Sequence, residues 1–449
     1  MNQHRALAIS ASQESRQKVQ RSLGADLIAL QGRLPEIRNG DVEFSFRQES
    51  DFLYLTGCQL EGAKLLLSRH AAILFLPKID QLHKVWLGGA ITIEEAKERF
   101  GFQDVRWTED FEETLKQLGG QASRLLLSPS LCSLATRLCP MTPRVPWKKD
   151  KELSSHRVKK SSSEIQLLKQ ASAASGHAHQ EVMTWAKPGM SEWQVRDAYT
   201  RSLQNQGIRQ HSFPTISAAQ TNGAILHYTR CDAPLVDGDL FLLDAGGEVE
   251  GYAGDVTRTW PISGKFSPRQ KTIYEAVLRA HELIEQKART GVWMSELQAL
   301  AIKSLSESLL AVGLLKGSLD EAIEKKSISL FYPHGCSHML GLDVHDVSPP
   351  QKRPDLDKPL TRSEQCLEPG MVITNEPGLY FIDPLLNDPA KEKEFGDLVD
   401  WKLARSYLDF GGIRIEDDLL ITEAGCDNLT LAPKSVEAIE ELRSQALSK

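Results

Sequence analysis

The stretch DLFLLDAGGEVEGYAGDVTRTWPI, residues 239–262, decides the fold of the C-terminal part of the chain. Its two apolar runs flank residues 247–251, which have the glycine content of a hairpin turn. Aspartate is depleted from strands, yet Asp244 ends the first run and Asp255 lies inside the second. A turn centred between residues 249 and 250 places the two carboxylates opposite each other, with Cβ atoms roughly 4.5–5.5 Å apart.

Two like charges in that position destabilise a hairpin, so the arrangement needs a compensating group. Divalent cations would compensate, and a pair of them roughly 3.5–4 Å apart is the spacing of co-catalytic hydrolase sites. The alternative is that one aspartate caps a turn while the other lies on a solvated face. The hairpin by itself supports both interpretations equally.

The sequence around this hairpin predicts an α+β fold. Helix starts are predicted where serine is followed three residues later by Glu or Gln: Ser161, Ser191, Ser267 and Ser295. Strand-like runs lie at 239–246, 252–262, 371–380 and 413–422. Helices separated by such runs indicate helices packed on a mainly antiparallel sheet. The Lys-, Ser- and Pro-rich segment 143–163 reads as a linker, and it predicts a smaller domain over 1–150 and a larger one over 151–449.

Composition excludes several classes of protein. With 53 Lys+Arg against 60 Asp+Glu, the net charge of −7 favours neither nucleic acid nor a membrane surface as a partner. The chain has no apolar run of about 18 residues, and its first residues hold only the short apolar stretch ALAI, so we expect no secretory signal there. Its seven cysteines are scattered without a CxxC pair, which predicts a protein of the reducing cytoplasm rather than a disulfide framework.

Further candidate ligands follow the hairpin. His334, His338 and His345 fall within twelve residues, interleaved with glycine, and neutral imidazole is a common metal ligand. Glu376 follows a β-rich run, and Glu416 alternates with isoleucine in GIRIEDD, so that it shares a strand face with Arg414. For each glutamate taken alone, the sequence favours an exposed strand face over a ligand role.

Taken in order, five stretches resemble the metallopeptidase family with the "pita-bread" fold, most closely aminopeptidase P and the prolidases. They are ILHYT (225–229), LLDAGGEVEGYAGDVTRTWP (242–261), HGCSHMLGLDVHD (334–346), EPGMVITNEPGLY (368–380) and GIRIEDD (412–418). The segment FRQESDFLYLTG (46–57) resembles the non-catalytic domain that precedes the catalytic one in these enzymes. The resemblance implies a C-terminal pita-bread (creatinase/aminopeptidase) fold after a smaller α/β N-terminal domain.

The resemblance also implies a dinuclear metal site. Its five ligands would be Asp244, Asp255, His338, Glu376 and Glu416, with Asp255 and Glu416 bridging both ions. Two divalent ions balance four carboxylates and leave room for a bridging hydroxide. Oxygen-rich ligation with one imidazole suits Mn²⁺ best, while Co²⁺, Fe²⁺ and Zn²⁺ are also compatible.

The implied activity is hydrolysis of the N-terminal Xaa-Pro bond of a peptide by the bridging hydroxide, with release of the first residue. Glu376 would carry the proton of the attacking water, and Arg414 would orient Glu416. The resemblance assigns substrate contacts to His227, His334, His345 and Tyr380, with His227 and His345 stabilising the oxyanion. Proline makes a tertiary amide with a fixed φ, so a site shaped for its ring is selective.

Two alternatives share these motifs. A prolidase, restricted to Xaa-Pro dipeptides, has the same five ligands but needs a cation for the substrate's C-terminal carboxylate. A non-catalytic binding module with this fold should have lost ligands, and none is missing here. Trp86 in KVWLGG resembles a tryptophan supplied to a neighbouring subunit's site, which implies a homodimer or homotetramer, whereas a buried core tryptophan is the other interpretation.

Overall fold

A computed structural model of the chain describes residues 3–86, 88–89, 91–147, 155–349, 351–355 and 364–447. It contains two compact units, Met1–Leu167 and Leu168–Lys449. The sequence predicts a boundary between residues 150 and 151, and residues 148–154 around that point lie outside the described residues. Across the described residues, no helix combines the length and the apolar character that a membrane span requires.

The N-terminal unit has a mixed sheet surrounded by helices. The α-helices among its described residues are α1 (Gln3–Ser22), α2 (Ser50–Thr56), α3 (Gln81–Trp86), α4 (Ile93–Phe100), α5 (Phe111–Gly119) and α6 (Cys132–Leu138). The strands are β1 (Leu27–Gln31), β2 (Ile37–Asn39), β3 (Val42–Glu43), β4 (Lys64–Leu67), β5 (Ala72–Leu76), β6 (Asp104–Trp107), β7 (Leu125–Leu127) and β8 (Arg144–Pro146). Six of them form one sheet in the order β6-β5-β4-β1-β7-β8, and β2 and β3 form a separate hairpin.

In the six-stranded sheet β4 is antiparallel to both of its neighbours and the remaining pairs are parallel. Strands β1, β4, β5 and β7 are almost entirely apolar and buried, as expected of strands covered on both faces. Helices α5 and α6 contribute Phe111, Leu115 and Ala135 to the core beneath the sheet.

Long helices and short antiparallel strands build the C-terminal unit, and helix α7 crosses the boundary between the units. The helices in the described residues are α7 (Ser162–Trp185), α8 (Glu192–Asn205), α9 (Pro268–Lys287), α10 (Met294–Val312), α11 (Leu319–Glu324), α12 (Asp383–Leu386), α13 (Pro389–Phe395), α14 (Trp401–Arg405) and α15 (Val436–Leu447). The strands are β9 (Gln210–His211), β10 (Ile216–Ala219), β11 (Leu240–Asp244), β12 (Gly247–Val249), β13 (Tyr252–Ala253), β14 (Thr257–Pro261), β15 (Val372–Asn375), β16 (Gly378–Tyr380), β17 (Gly412–Arg414), β18 (Asp417–Ile421) and β19 (Cys426–Asn428).

The helix starts follow the capping signals with one exception. Ser267 caps α9 as predicted, with its hydroxyl accepting from the Gln270 amide at 3.3 Å. The fourth predicted start, at Ser295, is wrong because α10 already begins at Met294. Glu296 accounts for the shift, since its carboxylate accepts a hydrogen bond from the Trp293 amide at 2.8 Å.

Candidate metal centre

Strand register brings the predicted ligands into one row. Asp244 at the end of β11 is the cross-strand partner of Thr257 in β14, and Thr257 forms an isolated bridge with Glu416. Strand pairs β15–β18 and β16–β17 keep one continuous register, which places Glu376 opposite Glu416. Three carboxylates from separate strands therefore lie along a single line across the sheets.

The hairpin differs from the sequence prediction in its register. Asp244 was predicted opposite Asp255, and this is wrong because Asp244 pairs with Thr257. The turn residues are Glu250 and Gly251, both with positive φ (51° and 96°), as in a two-residue type I′ turn. Its centre lies one residue later than predicted, so Asp255 takes the diagonal position, which is still within reach of Asp244.

His338 comes from a segment that docks along β15. The Thr374 amide donates to the His338 carbonyl at 2.9 Å, and residues Met339 and Ile373 form a bridge beside it. His338 Nε2 then lies 3.5 Å from Asp255 Oδ2 and 3.4 Å from Glu376 Oε1. The fold thus brings together all five residues that the sequence nominates as ligands, and they share the wall of one cavity of about 980 Å³.

The carboxylates are crowded and poorly solvated. Burial raises the pKa of Asp255 well above its usual value, and the charge of Asp244 raises it further. The pKa of Glu416 is raised in the same way, by burial first and then by the charges of Asp255 and Glu376. Burial also raises the pKa of Glu376. Arg414 opposes these shifts, and a multivalent cation in the cavity would lower the pKa values of the carboxylates further.

The donor atoms fit a hard divalent cation. Asp255, His338 and Glu416 each offer a ligand atom, and these atoms lie within 4.8 Å of one another. Asp244 Oδ1 is buried, and among the described residues it has no hydrogen-bond partner. Because a buried carboxylate oxygen is normally satisfied, a cation in the cavity would give this atom the partner that it lacks. Oxygen ligands with a single imidazole are the donor set that Mn²⁺ and similar ions accept.

Arg414 connects the cluster to its surroundings. The sequence predicts that it orients Glu416, but its direct carboxylate partner is Asp244, with Nη2 2.5 Å from Oδ2. It reaches Glu416 through Thr257, whose hydroxyl accepts from Arg414 Nε at 3.0 Å and donates to Glu416 Oε2 at 2.6 Å. Arg414 Nη1 also donates to the Tyr380 hydroxyl at 2.7 Å.

The three histidines that are predicted to contact substrate lie on the cavity wall, whereas Tyr380 does not. His227, His334 and His345 all line the cavity, and the rings of His338 and His345 have centroids 4.4 Å apart. Burial lowers the pKa of His334 to about 3, so this imidazole is neutral at physiological pH. Tyr380 is fully buried behind the wall, where its hydroxyl lies 2.8 Å from His334 Nε2. Tyr380 does not line the cavity, and its contact with substrate stays a prediction.

Three polar residues that support the ligands were missed. Besides Thr257, Thr374 accepts from the His338 amide at 3.1 Å and donates to Glu376 Oε1 at 3.3 Å. Asp418 accepts from the Asp255 amide at 3.1 Å. Each lies two residues from a predicted ligand, on the same strand face, and this spacing is the signal that identifies them.

Comparison with known proteins agrees with this geometry. A model described as metallopeptidase family M24 matches residues 166–423, and one described as the aminopeptidase P N-terminal domain matches residues 12–127. The chain belongs to metallopeptidase family M24. Membership implies divalent metal ions, and it confirms the predicted resemblance.

Relatives of this M24 chain carry two different names. A probable Xaa-Pro aminopeptidase of Fusarium vanettenii is 33% identical over 444 residues, covering 96% of this chain and 94% of the relative. An Xaa-Pro dipeptidase of Mus musculus is 33% identical over 422 residues, covering 89% of this chain and 85% of the relative. The solved structure of E. coli aminopeptidase P with the inhibitor Pro-Leu matches with a TM-score of 0.84 at 31% identity, covering 98% of this chain and 99% of that one. The predicted fold class is thereby confirmed.

Proposed function

We propose that the protein is a metal-dependent aminopeptidase that hydrolyses the N-terminal Xaa-Pro bond of peptides and releases the first residue. The observation that carries this proposal is the convergence of four carboxylates and one imidazole on the wall of a single cavity. Residues 151–449 would be the catalytic domain and residues 1–150 a non-catalytic domain, as the sequence predicts.

Two divalent ions, most plausibly Mn²⁺, would occupy this centre. The residues that would hold them are Asp244, Asp255, His338, Glu376 and Glu416. When bound, the ions supply an activated water near neutral pH and a positive charge at the reacting carbonyl. The raised pKa values of Asp255 and Glu416 support this assignment, because burial and neighbouring carboxylates raise both values despite the opposing charge of Arg414.

The chain's own residues would move the proton and stabilise charge. Glu376 lies beside His338 and has a raised pKa, as suits a group that takes a proton from water and passes it to the leaving nitrogen. His227 and His345 would donate hydrogen bonds to the substrate carbonyl as negative charge develops on its oxygen. Arg414 would hold Asp244 in place, and Asp244 would attract the peptide's α-amine.

The cavity wall favours an aminopeptidase over a dipeptidase. A dipeptide would place its C-terminal carboxylate in this cavity and would need a cation to receive it. Among the described residues, the one arginine on the wall is Arg414, which is already paired with Asp244 and Tyr380. Much of the rest of the wall is apolar, with Phe213, Pro214, Ile216, Leu226 and Val344. A longer peptide, whose proline carbonyl continues into an uncharged amide, suits such a wall better.

One assay tests this proposal directly. Purified protein, with Mn²⁺ or after chelation, is offered Xaa-Pro-Xaa tripeptides and Xaa-Pro dipeptides, and the released first residue is quantified. Metal-dependent release from the tripeptides supports the aminopeptidase, and turnover of dipeptides alone would identify a prolidase. Binding of tripeptides without hydrolysis under any metal would identify a non-catalytic binding module.

The N-terminal unit supports a homodimer or homotetramer. Trp86 is 76% exposed, so the interpretation as a buried core tryptophan is wrong. Seven exposed apolar side chains form what we term the hairpin–helix patch, on the β2–β3 hairpin and helix α3: Leu34, Ile37, Val42, Phe44, Leu82, Val85 and Trp86. Burial raises the pKa of Glu61, the charge of Glu43 in the hairpin raises it further and His83 in the helix lowers it, so both elements act on one carboxyl group. We take these exposed apolar side chains as the surface that a second copy of the chain would cover.

Sedimentation velocity tests the oligomer. Replacing Leu82 and Val85 together with glutamate (Leu82→Glu, Val85→Glu) is expected to yield monomers, because two charges would be buried without partners. Met141→Glu is the control, since Met141 is 91% exposed and lies outside the patch. A wild-type protein that sediments as a monomer would contradict the proposal.

For the cellular compartment we propose the cytoplasm. All seven cysteines lie in the described part of the chain and carry free thiols. Cys58, Cys231 and Cys336 are buried, and burial raises their thiol pKa values, which keeps them unreactive. Fractionation of source cells with an antibody to the protein tests this, and recovery from the secreted fraction would contradict it.

A further inference from the structure

Glu192 is a buried carboxylate that the proposed mechanism does not use. It is the first residue of helix α8, and its side chain is fully buried. All the hydrogen-bond donors that reach its carboxylate come from one segment, residues 219–233. They are the Ala219 amide (2.7 Å), Asn222 Nδ2 (2.9 Å), the Tyr228 hydroxyl (2.8 Å) and the Ala233 amide (2.9 Å).

The carboxylate of Glu192 accepts a full set of hydrogen bonds from its surroundings. Both carboxylate oxygens accept two hydrogen bonds each, so four donors of the described residues occupy this one side chain. Among the described residues no lysine or arginine forms an ion pair with it, so these donors and the N-terminus of α8 provide the compensation. The backbone adds two contacts, since the Ser217 hydroxyl donates to the Glu192 carbonyl at 2.7 Å and the Glu192 amide donates to the Ala233 carbonyl at 3.0 Å.

Segment 219–233, which donates these hydrogen bonds to Glu192, includes His227. Leu226, His227 and Thr229 line the cavity, and Tyr228 between them points the other way. Tyr228 is 3% exposed, and its hydroxyl also lies 2.9 Å from Asp232 Oδ1 and accepts from Asn222 at 3.0 Å. The residue next to His227 is therefore tied to Glu192, whereas the His227 side chain itself is exposed at the cavity.

We propose that Glu192 is a positioning residue, which orders segment 219–233 so that His227 faces the reacting carbonyl. The effect on catalysis rests on the proposed function, because it requires that His227 contacts substrate. The ordering of the segment does not depend on that function. The Glu192 carboxylate accepts hydrogen bonds from both ends and from the middle of segment 219–233. These bonds remove most of the conformational freedom of the segment before substrate binds.

A double-mutant cycle tests the catalytic part of this proposal. Glu192→Gln keeps the shape of the side chain but turns an NH₂ group towards donors, so kcat/KM for an Xaa-Pro-Xaa tripeptide should fall by roughly 10- to 100-fold. In a His227→Ala background the same change should cost less than about 2-fold, because the group it positions is already absent. An equal loss in both backgrounds would overturn the proposal.

Hydrogen–deuterium exchange measured peptide by peptide tests the ordering independently of any activity. Glu192→Gln should make residues 219–233 exchange faster, while β11 and β14 stay as protected as in the wild type. Tyr228→Phe, which removes one of the donors, should show the same pattern to a smaller extent. Unchanged exchange of the segment in Glu192→Gln would overturn the proposal.

The matched control is Glu321→Gln. The Glu321 carboxylate accepts from the Ser318 amide and hydroxyl, both at 2.8 Å, at the start of helix α11, and it does not line the cavity. Its replacement should change neither kcat/KM nor exchange in segment 219–233. If the wild-type enzyme hydrolyses no Xaa-Pro peptide, the proposed function fails, and the exchange experiment still decides whether Glu192 orders the segment.

Discussion

Two acidic clusters lie back to back in the C-terminal unit, and each contains one imidazole and two carboxylates. The cavity cluster consists of Asp255, His338 and Glu416, and the rear cluster consists of His281, Glu285 and Asp417. In both, the three potential ligand atoms lie within 4.8 Å of one another. Their ligand types are the same, so composition cannot tell which of them needs a metal ion.

The rear cluster contains its own cations. Lys434 Nζ lies 2.8 Å from Glu285 Oε2 and 2.6 Å from Asp417 Oδ2, and Arg258 Nη2 lies 2.5 Å from Asp417 Oδ1. Burial alone would raise the pKa of Asp417, but these cations hold it well below its usual value. The pKa of Glu416, one residue earlier in the chain, is raised.

Strand alternation explains how neighbours in sequence have opposite surroundings. Successive side chains on a strand point to opposite faces, so Glu416 faces the cavity while Asp417 faces helix α9, where His281 lies with its Nε2 3.3 Å from Asp417 Oδ2. In the rear cluster Asp417 is in direct contact with Lys434 and Arg258. Among the described residues neither Asp255 nor Glu416 forms a direct ion pair with lysine or arginine, since Arg414 pairs with Asp244 instead. We therefore expect a metal ion in the cavity cluster and none in the rear cluster.

The largest expected effect is on catalysis in the cavity cluster. Glu416→Gln should lower kcat/KM for an Xaa-Pro-Xaa tripeptide by about 10⁴-fold, or roughly 5.5 kcal/mol, because it removes a proposed bridging ligand. Glu285→Gln makes the same chemical change in the rear cluster and should cost less than about 3-fold. Steady-state kinetics with saturating Mn²⁺ measures both values of kcat/KM. Similar losses in the two variants would show that the cavity cluster and the rear cluster do not differ in their effect on catalysis.

The next effect is on stability in the rear cluster. Asp417→Asn should lower the free energy of unfolding by about 3–5 kcal/mol, with or without metal, because Arg258 would remain buried without its carboxylate. In the metal-free protein Glu416→Gln should leave the stability unchanged or raise it, since it removes a repelling carboxylate. Urea unfolding followed by circular dichroism measures both changes. A destabilisation of Glu416→Gln equal to that of Asp417→Asn would contradict this.

Metal binding should act on the cavity cluster alone. At about 100 times its Kd, Mn²⁺ should stabilise the wild type by about 2.7 kcal/mol, seen as a rise in Tm. Asp255→Asn should lose that rise because it removes a proposed bridging ligand. Lys434→Met should keep it, although its Tm without metal is lower. The prediction is wrong if Mn²⁺ no longer raises the Tm of Lys434→Met but still raises the Tm of Asp255→Asn.

The smallest effect concerns the hydroxyl that links Arg414 to Glu416. Thr257→Val keeps the shape but removes both hydrogen bonds, so kcat/KM should fall by about 10-fold while the Kd for Mn²⁺ rises by a similar factor. Thr290→Val, at an exposed threonine, is the control and should change neither value. A loss of activity without weaker metal binding would contradict the prediction, because it would show that Thr257 does not act through Glu416.

Local patterns in the sequence predicted much of the site. An apolar run that ends in Asp244 and the alternation of Ile415 with Arg414 and Glu416 identified ligand types and strand faces, because alternation depends only on neighbouring residues. Capping pairs such as Ser267 with Gln270 located helix starts for the same reason. The five motifs in order also identified the metallopeptidase family, and the family match over residues 166–423 confirms it.

Register and charge pairing were decided by the tertiary structure. The two-residue turn at Glu250 moved Asp255 off its predicted partner, and burial of Tyr380 withdrew it from the cavity. Arg258 pairs with Asp417, which lies 159 residues later in the chain, and no local sequence pattern predicts a contact at that separation. The sequence therefore determined which side chains can bind a metal. Only packing between distant segments decided which carboxylates pair directly with lysine or arginine, as Asp417 does with Arg258 and Asp244 with Arg414.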